Sequence, residues 1–77
     1  MPSITGTVLL VQESRFRLLT EDGRGETFLL SHAAAFEPQD LAPLTGRRVS
    51  VRYEHAPKLL AFIAQDLQLL DREGAIA

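Results

Sequence analysis

The sequence predicts an all-β domain, a five-stranded Greek-key barrel with a short helix between strands three and four. Three observations lead there. Residues 15–20 and 26–30 are short alternating segments on either side of a glycine-bearing turn, which makes them a hairpin with one apolar face. Residues 47–54 alternate cleanly, with Val49, Val51 and Tyr53 on one side and Arg48, Ser50, Arg52 and Glu54 on the other. Three strands, a short helix and one more strand leave open sheet edges, so a fifth strand is expected to close the sheet.

The 77 residues make one domain, assigned to residues 1–70, with a loose tail over 71–77. A chain this short buries only about 60% of its unfolded surface, so its core is marginal unless the sheet closes or the chain associates. With 45% hydrophobic and 23% charged residues the composition fits a globular domain and excludes a disordered one. The aromatic residues are Phe16, Phe28, Phe36, Tyr53 and Phe62, with no Trp, so the core must be mostly Leu, Ile and Val.

The first strand is expected over residues 4–11. Ile4, Gly6, Val8 and Leu10 share one face, Thr5, Thr7, Leu9 and Val11 the other, and Gly6 suits a bulge or a sharp bend. Gln12, Glu13 and Ser14 connect to the second strand. In the hairpin, pairing Thr20 with Glu26 sets Leu18 opposite Phe28 and Phe16 opposite Leu30. Arg15, Arg17, Thr27 and Leu29 are left on the outer face. Ser31 can cap a short helix over 31–37, favoured by three alanines and stopped by Pro38, and residues 40–44 can add a further turn.

The last segment, residues 59–70, fits two patterns. As a helix it places Leu59, Phe62, Ile63, Leu67 and Leu70 on one stripe, and local propensity favours this. As a strand it sets Ala61, Ile63, Gln65, Leu67 and Leu69 against Phe62, Ala64, Asp66, Gln68 and Leu70, and the order of elements favours this closing role. In the strand form Leu59, Leu60 and Phe62 lie in a stretch apolar on both faces. Such a surface meets another element, a protein partner or a second copy of the chain.

The order strand, strand, strand, helix, strand, strand is that of the OB-fold. Within that class the chain resembles the cold-shock and S1-like domains over about 65 residues. Gly6-Thr7-Val8 resembles their opening Gly-x-Val, and Phe16-Arg17-Leu18-Leu19-Thr20 resembles the Phe-Gly-Phe-Ile-Thr of their first nucleic-acid motif. Thr27-Phe28-Leu29-Leu30-Ser31 falls where Val-Phe-Val-His-Phe stands, and Leu44-Thr45-Gly46-Arg47-Arg48-Val49 resembles the start of their fourth strand. The resemblance implies binding of single-stranded RNA or DNA by stacking bases on exposed aromatics, each stack contributing about 1–3 kcal/mol.

The stacking positions are where the chain departs. Leu18, Leu30 and Ser31 replace an aromatic, a histidine and another aromatic, and Arg15 and Arg17 replace the flanking glycines. In the family register both arginines point into the barrel, where an unpaired guanidinium costs several kcal/mol. Facing Phe16, Leu18, Phe28 and Leu30 inward avoids that cost and removes the stacking surface.

The remaining chemistry is sparse. Without cysteine there are no disulfides, no thiolate nucleophile and no thiolate metal site. The start of the chain lacks the basic and apolar runs of a secretory signal and no segment is long and apolar enough for a bilayer, so a cytoplasmic location with no membrane association is expected. Glu21-Asp22-Gly23-Arg24-Gly25 has too few carboxylates for a calcium loop and no phosphate-loop lysine, so it reads as a plain turn. His32 and His55 lack partners at recognisable metal spacing, and neither a metal, a cofactor nor an enzyme activity is expected.

Net charge is −2, but seven of the eight basic residues are arginines grouped in short clusters. Two function classes follow. One is a non-enzymatic module that binds single-stranded RNA or DNA weakly through a strip formed by Arg15, Arg17, Arg48 and Arg52. The other is a protein-interaction or assembly module that uses the apolar Leu59, Leu60 and Phe62 surface or a strand edge, without nucleic acid.

Overall fold

The computed structural model describes residues 2–56, 58 and 61–70. Five strands, β1 (Ser3–Gln12), β2 (Arg15–Thr20), β3 (Gly25–Leu30), β4 (Arg48–Ala56) and β5 (Ala61–Leu69), close into a barrel in the order β1-β2-β3-β5-β4. All neighbours are antiparallel except β3 and β5, which pair in parallel through Phe28, Leu29 and Leu30. β1 closes the sheet on itself, since its first half pairs with β4 and its second with β2. With a short helix between β3 and β4, this is the OB-like topology.

Alternation explains the interior. Val8, Phe16, Leu18, Phe28, Leu30, Val49, Val51, Ala64 and Leu67 are buried together, and Leu41 plugs the cluster from the connecting helix. The strand reading of the last segment holds over Ala61–Leu69. A helix there would leave one edge of β3 and one edge of β4 unpaired, so closure outweighs local helix propensity. Leu59, Leu60 and the tail expected over 71–77 lie outside the described residues.

Four local expectations are corrected. The hairpin register differs by two residues: Phe16 pairs with Phe28, Arg17 with Thr27 and Leu19 with Gly25. The turn is therefore tighter, with Thr20 N–H donating to the Arg24 carbonyl at 2.8 Å and Gly23 N–H to the Thr20 carbonyl at 3.0 Å. Gly23, at φ 89°, takes the left-handed conformation that such a turn needs. The Thr20 hydroxyl reinforces it, bonding Asp22 Oδ1 and the Arg24 backbone. Because side chains repeat every two residues, this shift leaves every residue on its expected face.

The second correction concerns β1. The pairing with β2 slips between Val8 and Leu10, so Leu9 is an extra residue and Leu10 turns outward while Val11 packs against the core. Val8 is gripped from the other side, its N–H donating to the Arg47 carbonyl at 3.0 Å and its carbonyl accepting from Gly46 N–H at 2.7 Å. Gly6, where a bulge or bend was expected, instead serves close approach: a Cβ there would meet the Leu19 carbonyl oxygen at 2.3 Å.

The third concerns the helix. Residues 31–37 are not helical; a short helix α1 (Pro38–Leu41) runs into a 3-10 turn, Ala42–Leu44. Pro38 starts this helix, and Asp40 Oδ2 accepts from Glu37 N–H at 2.9 Å. Ser31 caps only a turn, its Oγ accepting from Ala33 N–H at 3.1 Å, and its own N–H donates to the Ala64 carbonyl of β5 at 2.9 Å.

The fourth is a slip between Arg52 and Tyr53 that makes Gln65 the extra residue of β5. Ala64 and Leu67, expected on opposite faces, are therefore both buried.

Candidate functional site

The bulge and the hairpin register decide what the outer wall of β1, β2 and β3 presents. Directly paired residues share a face, so three rows run across it: Thr7, Leu19 and Gly25; Leu10, Arg17 and Thr27; Gln12, Arg15 and Leu29. Arg15 and Arg17 are exposed there because Phe16 and Leu18, which alternate with them along β2, occupy the interior positions. Leu10, Gln12, Arg15, Arg17 and Thr27, with Phe16 beneath, line a shallow open groove of about 260 Å³.

The electrostatics of this wall are one-sided. Among the described residues the ion pairs are Arg24 with Asp22 at 3.1 Å, Arg48 with Glu21, and Arg52 with Asp66 at 3.8 Å. Arg15 and Arg17 belong to none of these, although Glu13 precedes β2 closely in sequence and Glu26 lies on the neighbouring strand β3. Arg17 instead donates from Nη1 to Thr27 Oγ1 at 3.2 Å, and its guanidinium packs over Gly25. The wall thus holds two cations without a carboxylate.

The four arginines expected to form one strip are divided. Arg15 and Arg17 lie two residues apart on β2. Arg48 extends the Thr7 and Leu19 row from β4 but is held by Glu21. Arg52 lies opposite Ser3 and Asp66 on the β4 side and bonds the latter. These exposed pairs are worth about 0–1 kcal/mol, so they lower the available charge without locking the side chains.

The aromatic side chains are not on this wall. Phe16 and Phe28 stack at 5.3 Å, Phe28 meets Phe62 at 5.5 Å and Tyr53 at 5.7 Å, and Tyr53 meets Phe62 at 4.8 Å. These rings form one contiguous cluster, in which Phe62 is half-buried: it meets Phe28 and Tyr53 inside and lines an open pocket with Gly25, Thr27 and His55 outside. His55, exposed, carries its ring 5.3 Å from Phe62 at one mouth of the barrel, and His32 is exposed in the β3–α1 connection. Among the described residues no group of three or more His, Asp or Glu side chains gathers as a metal site.

Sequence reasoning missed Leu10 and Gly25 as parts of the wall. Alternation places Leu10 on the same face as Ile4, Gly6 and Val8, and nothing local marks the extra residue before it. Gly25 was assigned to the turn, although its lack of a side chain beside Arg17 is what lets the guanidinium settle on the sheet. Comparisons with protein families, with curated proteins and with solved structures give no match for this chain.

Proposed function

We propose that this barrel is a non-enzymatic binding module whose β1–β2–β3 wall engages single-stranded RNA or DNA through Arg15 and Arg17. The observation that carries the proposal is the pair of exposed, carboxylate-free guanidinium groups beside an open groove. Cations left without a carboxylate partner are the groups that neutralise phosphates and release counterions. The resemblance of residues 16–20 and 27–31 to cold-shock and S1-like motifs supports the same wall as the ligand face, by analogy of fold. Arg48 is a subsidiary contact, recruited when a phosphate competes with Glu21.

Fluorescence anisotropy with labelled single-stranded oligonucleotides at low salt tests this reading. Binding in the micromolar range is expected, with loss of at least about tenfold in Arg15→Glu/Arg17→Glu, since each reversal turns an attraction into a repulsion. No binding at tens of micromolar protein rejects it.

A second reading, assembly with a protein partner or another copy, is favoured by three exposed leucines of β1 and β2, Leu9 at 46%, Leu10 at 53% and Leu19 at 39% exposure. It predicts a dimer or a co-purifying partner. A strict monomer by light scattering together with an empty pull-down rejects it.

A further inference from the structure

The proposed ligand face has a property that the fold resemblance does not share, and it narrows the ligand. We infer that the wall grips the phosphodiester backbone and does not read or stack the bases. This inference rests on the nucleic-acid reading above. The rows that face outward are Thr7, Leu19 and Gly25, then Leu10, Arg17 and Thr27, then Gln12, Arg15 and Leu29, with no aromatic ring among them. Phe16 and Phe28, the two rings that match stacking positions, are 1% and 0% exposed and stack on each other.

The polar groups of the groove are chiefly donors. Arg15 and Arg17 supply guanidinium N–H groups, Gln12 adds one amide with both a donor NH2 and an acceptor oxygen, and the Thr27 hydroxyl already accepts from Arg17. Base edges present donors and acceptors in a pattern, whereas phosphate oxygens only accept. A donor-rich groove therefore matches phosphate. The spacing agrees: residues two apart on a strand lie about 6.8 Å apart, close to the separation of successive phosphates on an extended single strand. Leu10, Leu19 and Leu29 offer sugars an apolar surface that is indifferent to sequence.

The test compares three labelled oligomers of about a dozen units, a length within the range that one OB-type barrel covers. One is a mixed-sequence DNA, the second an abasic phosphodiester of the same length, and the third carries the same bases on an uncharged backbone. The expected result is that the abasic oligomer binds within about threefold of the DNA, since a single lost stack would weaken binding roughly 5- to 150-fold. The uncharged oligomer is expected to show no binding. Tight binding of the DNA with loss of tenfold or more for the abasic oligomer overturns the inference and leaves the nucleic-acid reading intact. Failure of every oligomer, DNA included, overturns both.

Discussion

Arg17 lies across β3 onto Gly25: its Nη2 is 2.8 Å from where a Cβ of residue 25 would stand, while its Nη1 donates to Thr27 Oγ1 at 3.2 Å. The glycine thus leaves room for the guanidinium to lie against the sheet, where Thr27 holds it. Gly25→Ala is expected to displace this flexible side chain with little change in stability, within about 0.5 kcal/mol. Gly6→Ala is the contrasting case, because the obstacle at 2.3 Å is the backbone oxygen of Leu19. A loss of about 1–3 kcal/mol is expected there, as for other overpacked sites. Chemical denaturation of the two variants separates them, and equal losses would refute the distinction.

Salt dependence measures how many cations the ligand uses. Two phosphate contacts on a single strand give a slope of log K against log salt of about −1.4, since each contributes about −0.7. Arg15→Gln is expected to halve it. A wild-type slope of about −2 would mean that Arg48 leaves Glu21 to join the contact.

Phe28 is the hub of the ring cluster, packed against Phe16, Phe62 and Tyr53. Phe28→Ala is expected to cost about 3–5 kcal/mol. Against a total of about 4–12 kcal/mol for a chain of 77 residues, that is a large share. Circular dichroism on heating should show a much lower midpoint or no cooperative transition, whereas Phe28→Leu keeps most of the volume and a folded barrel. A native-like midpoint in the alanine variant would show that the rings are not what holds the barrel together.

The turn makes a prediction about pH. The Thr20 hydroxyl, bonded to the Asp22 carboxylate, holds its pKa below the ordinary 3.8, opposed by desolvation and helped by the Arg24 charge. A lowered folded-state pKa stabilises the native state at pH values above the unfolded value, and this contribution disappears as pH falls from about 3.8 through the folded value. Asp22→Asn should lack this acid-side decline. Urea midpoints of the two proteins measured from pH 6 to pH 2 are expected to converge as the acid is protonated, and parallel curves would exclude the bond as their cause.

What was legible in the sequence were the faces of the hairpin and of β4. Phe16, Leu18, Phe28 and Leu30 against Arg15, Arg17 and Thr27 is a period-two pattern, and the cost of burying guanidinium groups assigns its sides without reference to the rest of the chain. The same reasoning moved the phenylalanines away from a stacking role and left Arg15 and Arg17 on the outer side of the hairpin. Only the tertiary structure decided the register, the bulges at Leu9 and Gln65, the helix at Pro38 and the strand form of Ala61–Leu69. The bulges and the closing strand depend on hydrogen bonds between residues far apart in the chain: Val8 with Gly46 and Arg47, Ser31 with Ala64, β5 with both β3 and β4. The hairpin register and the helix start rest on short-range bonds, Thr20 with Arg24 and Glu37 with Asp40. Alternation records which side of a strand is wet. Where an extra residue interrupts the pairing, and so which leucine joins the arginines outside, is determined only when the barrel closes.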